Sequence, residues 1–176
     1  MKILKVVISV ILIFLALFLI IPLFIDTNYQ ASKSTLVNAE KSEVYPYLMD
    51  LSRFDEWSPW SDIDPDTKVE LNGDIGTVGS SYSWKGNDDV GEGTMKIVRA
   101  NNDTIFIDLN FVEPFEAYSP TYYVVKENGD QTEVTWYMEG EMAYPMNIFF
   151  LFMDMEETIG NDFEKGLSQL EKVFDK

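Results

Sequence analysis

The sequence contains neither cysteine nor histidine among its 176 residues. Without cysteine there is no disulfide framework, no thiol nucleophile and no thiolate ligand for a metal. Without histidine the chain lacks the commonest general base near neutral pH, and the Ser-His-Asp and Cys-His arrangements cannot form within it. An enzyme built on this chain would have to use carboxylates, Tyr, Lys or Arg. We expect no metal site and no cofactor.

Basic residues are also scarce, with 13 Lys and Arg against 30 Asp and Glu. All 30 acidic residues follow position 25, together with 11 of the basic ones, so this part carries 11 − 30 = −19. Such a charge excludes nucleic-acid binding by phosphate neutralisation and argues against broad electrostatic docking onto anionic lipid. Solubility and self-repulsion near a surface explain the charge more simply than an acidic docking site does.

One segment, Val6 to Ile25, has no charged residue. As a helix with about 1.5 Å of rise per residue it would cover roughly 30 Å, the hydrocarbon thickness of a bilayer. A cleaved secretory signal would have a shorter apolar core and a small-residue cleavage site, and a buried core helix would show a polar stripe. The segment therefore predicts an uncleaved signal anchor over residues 1–27, with residues 6–25 in the membrane.

The flanks of this segment predict its orientation. Lys2 and Lys5 precede it, Asp26 follows it, and the next cation is Lys33. By the positive-inside rule the N-terminus lies in the cytoplasm. We expect a single-pass membrane protein whose remaining residues lie on the outer face, periplasmic or extracellular.

Residues 28–176 have the usual length of one domain. Alternating segments separated by Asn-Gly and similar turns predict an antiparallel meander. Two short helical segments precede most of these strands, the first with Ser42 as its N-cap. The predicted strands are 29–37, 68–71, 80–85, 91–100, 104–112, 121–127 and 132–141, and the short helical segments are 42–49 and 51–57.

The last segment has a helical period. Pro145 can occupy a first helical position, and apolar residues then recur at spacings of three and four. Gly160 and Gly166 would let this long helix approach the sheet closely. The apolar run Met146 to Met155 is either a fully buried helix start or a gate that dips into the bilayer interface. The apolar stripe consists of Phe149, Phe152, Met155, Ile159, Phe163, Leu167, Leu170 and Phe174.

Two apparent ion-binding motifs fail on inspection. The spacing of Asp62, Asp64 and Asp66 matches the first positions of a calcium-binding loop. The rest of that motif is missing, because the sixth position is not Gly and the twelfth is not Glu. A solvated acidic turn is the better interpretation. The glycines between residues 73 and 79 precede a strand rather than a helix N-terminus, so they indicate turns rather than a phosphate cradle.

The order and spacing of several short motifs resemble the START-like superfamily, in its polyketide cyclase/dehydrase and lipid-transport (SRPBCC) branch. These motifs are Leu51 to Trp60, Gly76 to Gly79, Tyr82 to Gly86, Gly91 to Gly93 and Ile159 to Leu167. The resemblance covers residues 29 to 176. It implies an α+β helix-grip fold, in which a curved antiparallel sheet wraps around a long C-terminal helix above a hydrophobic cavity. It supplies no catalytic residues.

Strand alternation and the helical stripe define a candidate wall for this cavity, and the two tryptophans that flank Ser58-Pro59 are expected at its mouth. The alternative for each residue is a place in a filled core. The predicted ligand-binding residues are Trp57, Trp60, Trp84, Met95, Ile107, Leu109, Phe111, Trp136, Met138, Phe152, Met155 and Ile159.

Three functions stay open on these grounds. The first is a membrane-tethered module that binds or transfers a hydrophobic small molecule or lipid. The second is a cyclase/dehydrase-type enzyme with carboxylate or Tyr acid–base groups, for which Glu113 and Glu116 are candidates. The third is a protein-interaction module with a filled core.

Overall fold

A computed structural model describes residues 2–175, which form an apolar N-terminal helix followed by an antiparallel sheet and a long C-terminal helix. The helices are α1 (Lys2–Ile20), α2 (Lys41–Met49) and α3 (Met155–Phe174), with 3-10 turns at Ile21–Phe24, Leu51–Glu56 and Met146–Leu151. The strands are β1 (Asn28–Val37), β2 (Lys68–Asn72), β3 (Ser81–Lys85), β4 (Glu92–Ala100), β5 (Thr104–Glu113), β6 (Ala117–Tyr118), β7 (Thr121–Asn128) and β8 (Gln131–Glu141).

The sheet has the order β1-β8-β7-β5-β4-β3-β2, and the two-residue strand β6 pairs with β5. Every pairing is antiparallel, as the short connections predicted. Strand β1 returns to pair with the last strand, with Asn28 opposite Glu141. The predicted α+β helix-grip fold is confirmed. The sequence pattern missed β6, because two residues are too few to show alternation.

The strand register divides the sheet into two ends. At one end, here called the anchor end, β1 begins just after α1, and Lys85, Glu92 and Glu113 are aligned across neighbouring strands. At the other, the far end, lie α2 and the β4–β5 and β7–β8 turns. An ion pair between Lys41 and Asp103 joins α2 to the β4–β5 turn there.

The far end is filled by apolar side chains. Alternate residues of β4, β5 and β8 face the helices, and Ile97, Ile105 and Val134 are fully buried. Helix α2 places Val44 and Leu48 in the same core. Helix α2 does not begin at a Ser42 cap as predicted. Its N-cap is Glu40, which has no capping bond to the backbone but accepts a hydrogen bond from the Ser42 hydroxyl.

Helix α3 begins at Met155, ten residues later than the prediction from Pro145. Asp154 caps it by accepting a hydrogen bond from the Glu157 backbone N–H at 3.0 Å. The stripe is confirmed for Phe163, Leu167 and Leu170, which are buried. It fails for Phe149 and Phe152, which precede the helix and are exposed.

Small residues on α3 allow its close approach, as predicted. A Cβ added at Gly166 would lie 3.0 Å from Pro59 Cδ and 3.1 Å from Trp136 Cζ3. The same helix holds the chain that follows the second 3-10 turn, because the Lys165 ammonium donates to the Pro59 carbonyl at 2.9 Å. The helix is therefore fixed over the aromatic residues that it covers.

The apolar run Met146 to Met155 is not the fully buried helix start that was one of its two interpretations. Most of its large side chains are exposed, and the buried one is the polar Asn147. The Asn147 amide donates to the carbonyls of Pro22 and Ile25, both at 2.9 Å. These two hydrogen bonds hold the run beside the 3-10 turn that follows α1.

Candidate functional site

A cavity of about 620 Å³ lies between α3 and the sheet, toward the anchor end. It has the size of a small-molecule site. Its wall is mainly apolar and aromatic, with side chains from β1, β3, β4, β5, β8, α3 and the Leu51–Glu56 turn. The large apolar and aromatic residues of the wall are Tyr29, Phe54, Trp60, Tyr82, Trp84, Met95, Leu109, Phe111, Trp136, Met138, Met155, Ile159 and Phe163.

The structure brings most of the predicted ligand-binding residues to this cavity. They are Trp60, Trp84, Met95, Leu109, Phe111, Trp136, Met138, Met155 and Ile159. Three others lie elsewhere. Trp57 and Ile107 are buried in the packed core, and Phe152 is 79 % exposed on the outside. Phe152 was placed by extending the α3 stripe backward, and the break before Met155 removes it from that face.

Trp136 lines the cavity and also belongs to the buried core. Its indole stacks on Phe163, with ring centroids 4.1 Å apart and planes within 8°. The indole N–H donates to Thr121 Oγ1 at 3.1 Å, so the buried ring has a polar partner. Trp57 packs edge-on behind it at 5.2 Å. These contacts fix the ring in one orientation.

Two glycines let aromatic rings lie flat on the sheet. Gly93 is directly opposite Trp84, and a Cβ on it would come within 2.4 Å of the indole. Gly140 is opposite Tyr29, where a Cβ would meet the phenol ring at 2.3 Å. Each glycine thus creates the space in which one cavity-lining ring rests.

Tyr29, Tyr82 and Phe163 line the cavity without having been selected from the sequence. The alternation that selected Trp84 also places Tyr82 on the same face of β3, so this signal was present. Tyr29 required knowledge of the register between β1 and β8, which no local pattern contains. Phe163 was identified only as a member of the helix stripe.

A second hydrogen-bonded pair in the cavity wall joins the buried Tyr82 to the exposed Asp55. The Tyr82 hydroxyl donates to Asp55 Oδ1 at 2.7 Å. Burial raises the pKa of Tyr82, and the hydrogen bond to Asp55 and the charge of that carboxylate raise it further. Tyr82 therefore stays protonated at neutral pH and can donate a hydrogen bond. It is a poor general base.

The mouth of the cavity is formed by loops at the anchor end. The exposed wall residues Pro65, Asp88, Asp89 and Pro114 come from three such loops. Asp64, one of the acids in the rejected calcium motif, accepts the Asn87 backbone N–H at 2.7 Å and so joins two of these loops. The carboxylate therefore has a structural role in ordering the mouth.

Neither arginine lies in the cavity wall. Arg53 lies within 4 Å of Asp50 and Glu56, at 3.4 and 3.7 Å. Arg99 lies over the ring of Phe106, with the guanidinium carbon 3.8 Å from the ring centroid. The sequence suggested that both arginines pair with nearby acids; this holds for Arg53, whereas Arg99 contacts an aromatic ring instead.

Solved structures share this fold at low sequence identity. The major latex-like protein 151 of Panax ginseng is 14% identical, with a TM-score of 0.61 over 84% of this chain and 98% of its own. A protein from Thermobifida fusca is 17% identical, with a TM-score of 0.61 over 82% and 92%. CalU16 from Micromonospora echinospora is 16% identical, with a TM-score of 0.54 over 84% of each chain. These similarities show the fold alone.

No curated protein matches the sequence significantly. The family model described as "Polyketide cyclase / dehydrase and lipid transport" matches residues 29–175, which include helix α3 and the whole sheet apart from Asn28, the first residue of β1. This agrees with the resemblance seen in the sequence motifs. The chain belongs to the polyketide cyclase/dehydrase and lipid-transport family, within the START-like (SRPBCC) group.

Proposed function

We propose that this protein is a membrane-tethered module that binds or transfers a hydrophobic small molecule or lipid. The observation that carries the proposal is the cavity of about 620 Å³ beneath α3, with its largely apolar wall. Removing apolar ligand surface from water supplies affinity of about 25 cal/mol per Å². The Tyr82 hydroxyl and a few other polar groups orient the ligand.

Helix α1 supports the tether. The segment Lys2–Phe24 is long and apolar enough to cross a membrane, with a mean hydropathy of 3.3 in its most apolar window, and only 6% of that window is buried against the rest of the protein. An all-round apolar helix with no protein partner is stable in hydrocarbon and costly in water. In this proposal the N-terminus lies in the cytoplasm and the ligand-binding domain on the outer face, which the positive-inside rule favours because Lys2 and Lys5 precede the span.

The anchor end of the sheet brings the tether and the cavity mouth together. The Tyr144 hydroxyl donates to the Leu19 carbonyl at 2.9 Å, and Asn147 binds the turn that follows α1. The exposed apolar side chains beside them, Leu151, Phe152 and Met153, then lie at the level of the bilayer interface. In this proposal they act as the gate through which an apolar ligand passes between membrane and cavity.

Binding is better supported than catalysis. A catalytic base near neutral pH needs a suitably shifted pKa, and the shift of Tyr82 is in the opposite direction. Glu113 and Glu116, the carboxylates considered for acid–base chemistry, are both exposed, the first at the end of β5 and the second in the β5–β6 connection. Exposed carboxylates have no desolvated site in which to act as acids at neutral pH.

The proposal is tested by extracting small molecules from the purified full chain in nanodiscs. Mass spectrometry should find an apolar molecule that is enriched over empty nanodiscs. The matched control is the double variant L109W/M138W, in which two indoles occupy the cavity. The enrichment should disappear in this variant. Equal enrichment in both proteins, or none in either, would overturn the proposal.

A further inference from the structure

The charged groups around the cavity are all of one sign. The wall contains six carboxylates, and within residues 2–175 it contains no lysine or arginine. The six are Asp55, Asp64, Asp88, Asp89, Glu113 and Asp162. We propose that the cavity selects apolar molecules that carry a cationic nitrogen, an ammonium or quaternary ammonium group, over apolar anions. This inference rests on the proposed function, because it specifies the ligand of the same cavity.

Three of these carboxylates are free to act on a ligand. Asp88 and Asp89 are exposed at the mouth, and Asp162 is half-buried on α3 beside Phe163. None of the three forms an ion pair or accepts a side-chain hydrogen bond among the residues that the structure describes. Asp55 and Asp64 already accept hydrogen bonds, from Tyr82 and from backbone N–H groups.

Two lysines close to the wall are already engaged: the Lys165 ammonium donates to the Pro59 carbonyl, and Lys85 is paired at the mouth. The Lys85 ammonium binds Glu92 on the neighbouring strand, and this hydrogen bond and charge raise the pKa of Lys85. Glu113 contributes more weakly to the same shift. Lys85 thus offsets the charge of Glu92 and part of that of Glu113, and the remaining carboxylates keep the mouth negative.

The loop that bears Asp88 and Asp89 is ordered against the cavity wall. The Trp84 indole N–H donates to the Val90 carbonyl at 3.3 Å, and Asn87 Oδ1 accepts the Asp89 backbone N–H at 2.9 Å. These bonds hold the two acids next to an aromatic side chain of the wall. Carboxylates fixed in one place above a low-dielectric cavity focus the potential at its mouth.

The aromatic wall favours the same ligand charge. Trp60 and Trp84 line the cavity, and the face of an indole ring carries negative quadrupole density, which attracts cations and repels anions. Aromatic rings combined with carboxylates, and no basic side chain, form the usual environment of a bound ammonium group. An anionic amphiphile would meet repulsion from both kinds of group.

The test uses three dansyl probes of equal alkyl length that end in a trimethylammonium, an amide or a carboxylate. Each is titrated into the full chain in zwitterionic nanodiscs, and binding is followed by energy transfer from the cavity tryptophans, with empty nanodiscs subtracted. At low ionic strength the cationic probe should bind about tenfold more tightly than the anionic one, with the neutral probe between them. The difference should shrink in 0.5 M salt, where the Debye length falls to roughly 4 Å.

Two matched variants distinguish the effect of carboxylates at the cavity from the effect of the protein's net charge. D88N/D89N/D162N removes three charges at the cavity, and E43Q/E127Q/D130N removes three from α2 and the β7–β8 hairpin at the far end. The first should abolish most of the preference, and the second should leave it. Equal effects of the two variants, or equal binding of cationic and anionic probes, would overturn this inference. Failure of all three probes to bind would instead overturn the proposed function.

Discussion

The two ends of the sheet are built from the same alternating pattern, yet one is filled and the other is hollow. On β5, Ile107 is buried in packed core, whereas Leu109, two residues along the same face, lines the cavity. On β8, Val134 is packed and Met138 lines the cavity. The difference follows from what covers each end: α2 places apolar side chains against the far end, whereas the first turns of α3 and several loops cover the anchor end and leave space beneath them. The cavity therefore arises where no side chains of α2 pack against the inner face of the sheet, and it does not require a special strand sequence.

The largest expected effect is on the filled side. Ile107→Ala removes a fully buried side chain and leaves a new void, so the free energy of unfolding should fall by about 3 kcal/mol. Leu109→Ala, on the same strand and face, only enlarges an existing cavity and should cost about 1 kcal/mol. Urea denaturation of the full chain in nanodiscs, followed by tryptophan fluorescence, measures both. Equal losses would mean that the cavity side is packed as tightly as the core.

A smaller loss is expected from Gly93→Ala. The added Cβ would meet the Trp84 indole at 2.4 Å and the Asn110 carbonyl oxygen at 2.6 Å. We expect a loss of about 2 kcal/mol, because both the ring and a neighbouring strand must shift. Its measure is a double-mutant cycle with Trp84→Ala, in which the cost of Gly93→Ala should become smaller. If the two losses of stability are additive, the added Cβ destabilises the protein through its backbone contact with Asn110 and not through the Trp84 ring.

We expect that larger side chains can fill the cavity while the fold is retained. In L109W/M138W two indoles enter the cavity, and the affinity of the neutral dansyl probe should fall about tenfold, which equals about 1.4 kcal/mol. The control V98W/V112W places the same side chains on the exposed face of β4 and β5. Its probe affinity should match that of the wild type. A cavity-filled variant that binds as well as this control would place the probe outside the cavity.

The smallest expected effect is on the pH dependence of stability, and it involves a residue of the packed core. Burial raises the pKa of Tyr123, whose hydroxyl has no hydrogen-bond partner among the described residues. Folding favours the neutral form of this side chain. The free energy of unfolding is therefore unaffected by its ionisation below the unfolded pKa of 10.0, and it falls as the pH rises above that value. Tyr123→Phe should change stability by less than about 1 kcal/mol at pH 7. The variant should also lose less stability above pH 10 than the wild type, as measured by urea denaturation at a series of pH values. An unchanged pH dependence would exclude Tyr123 as the source of the alkaline destabilisation.

Much of the fold could be predicted from the sequence, because period and turn chemistry are local signals. The alternation that put Met95 and Leu109 on the inner face was correct, and so was the α3 stripe from Ile159 onward. The start of α3 was not predicted, since Phe149 and Phe152 continue the apolar spacing through a segment that is not helical. Burial of Asn147 was equally invisible, because its partners are carbonyls more than a hundred residues away.

The candidate site was predictable only in part for the same reason. Alternation identifies the face on which a side chain lies, but both Ile107 and Leu109 satisfy it. Which of them meets empty space depends on where α2 ends, and this is a tertiary property. The two ring–glycine pairs likewise depend on strand register, so Tyr29 could not be found from its own neighbourhood.

Photolabelling tests most directly the claim that the anchor end holds an apolar ligand. The full chain in nanodiscs is irradiated with an apolar diazirine probe, and the labelled residues are mapped by mass spectrometry. We predict labels on Met95, Leu109, Met138 and Ile159 as well as on α1, with Ile105 and Ile107 unlabelled. Labels on α1 alone, or equal labelling of the packed and hollow sides, would contradict the account.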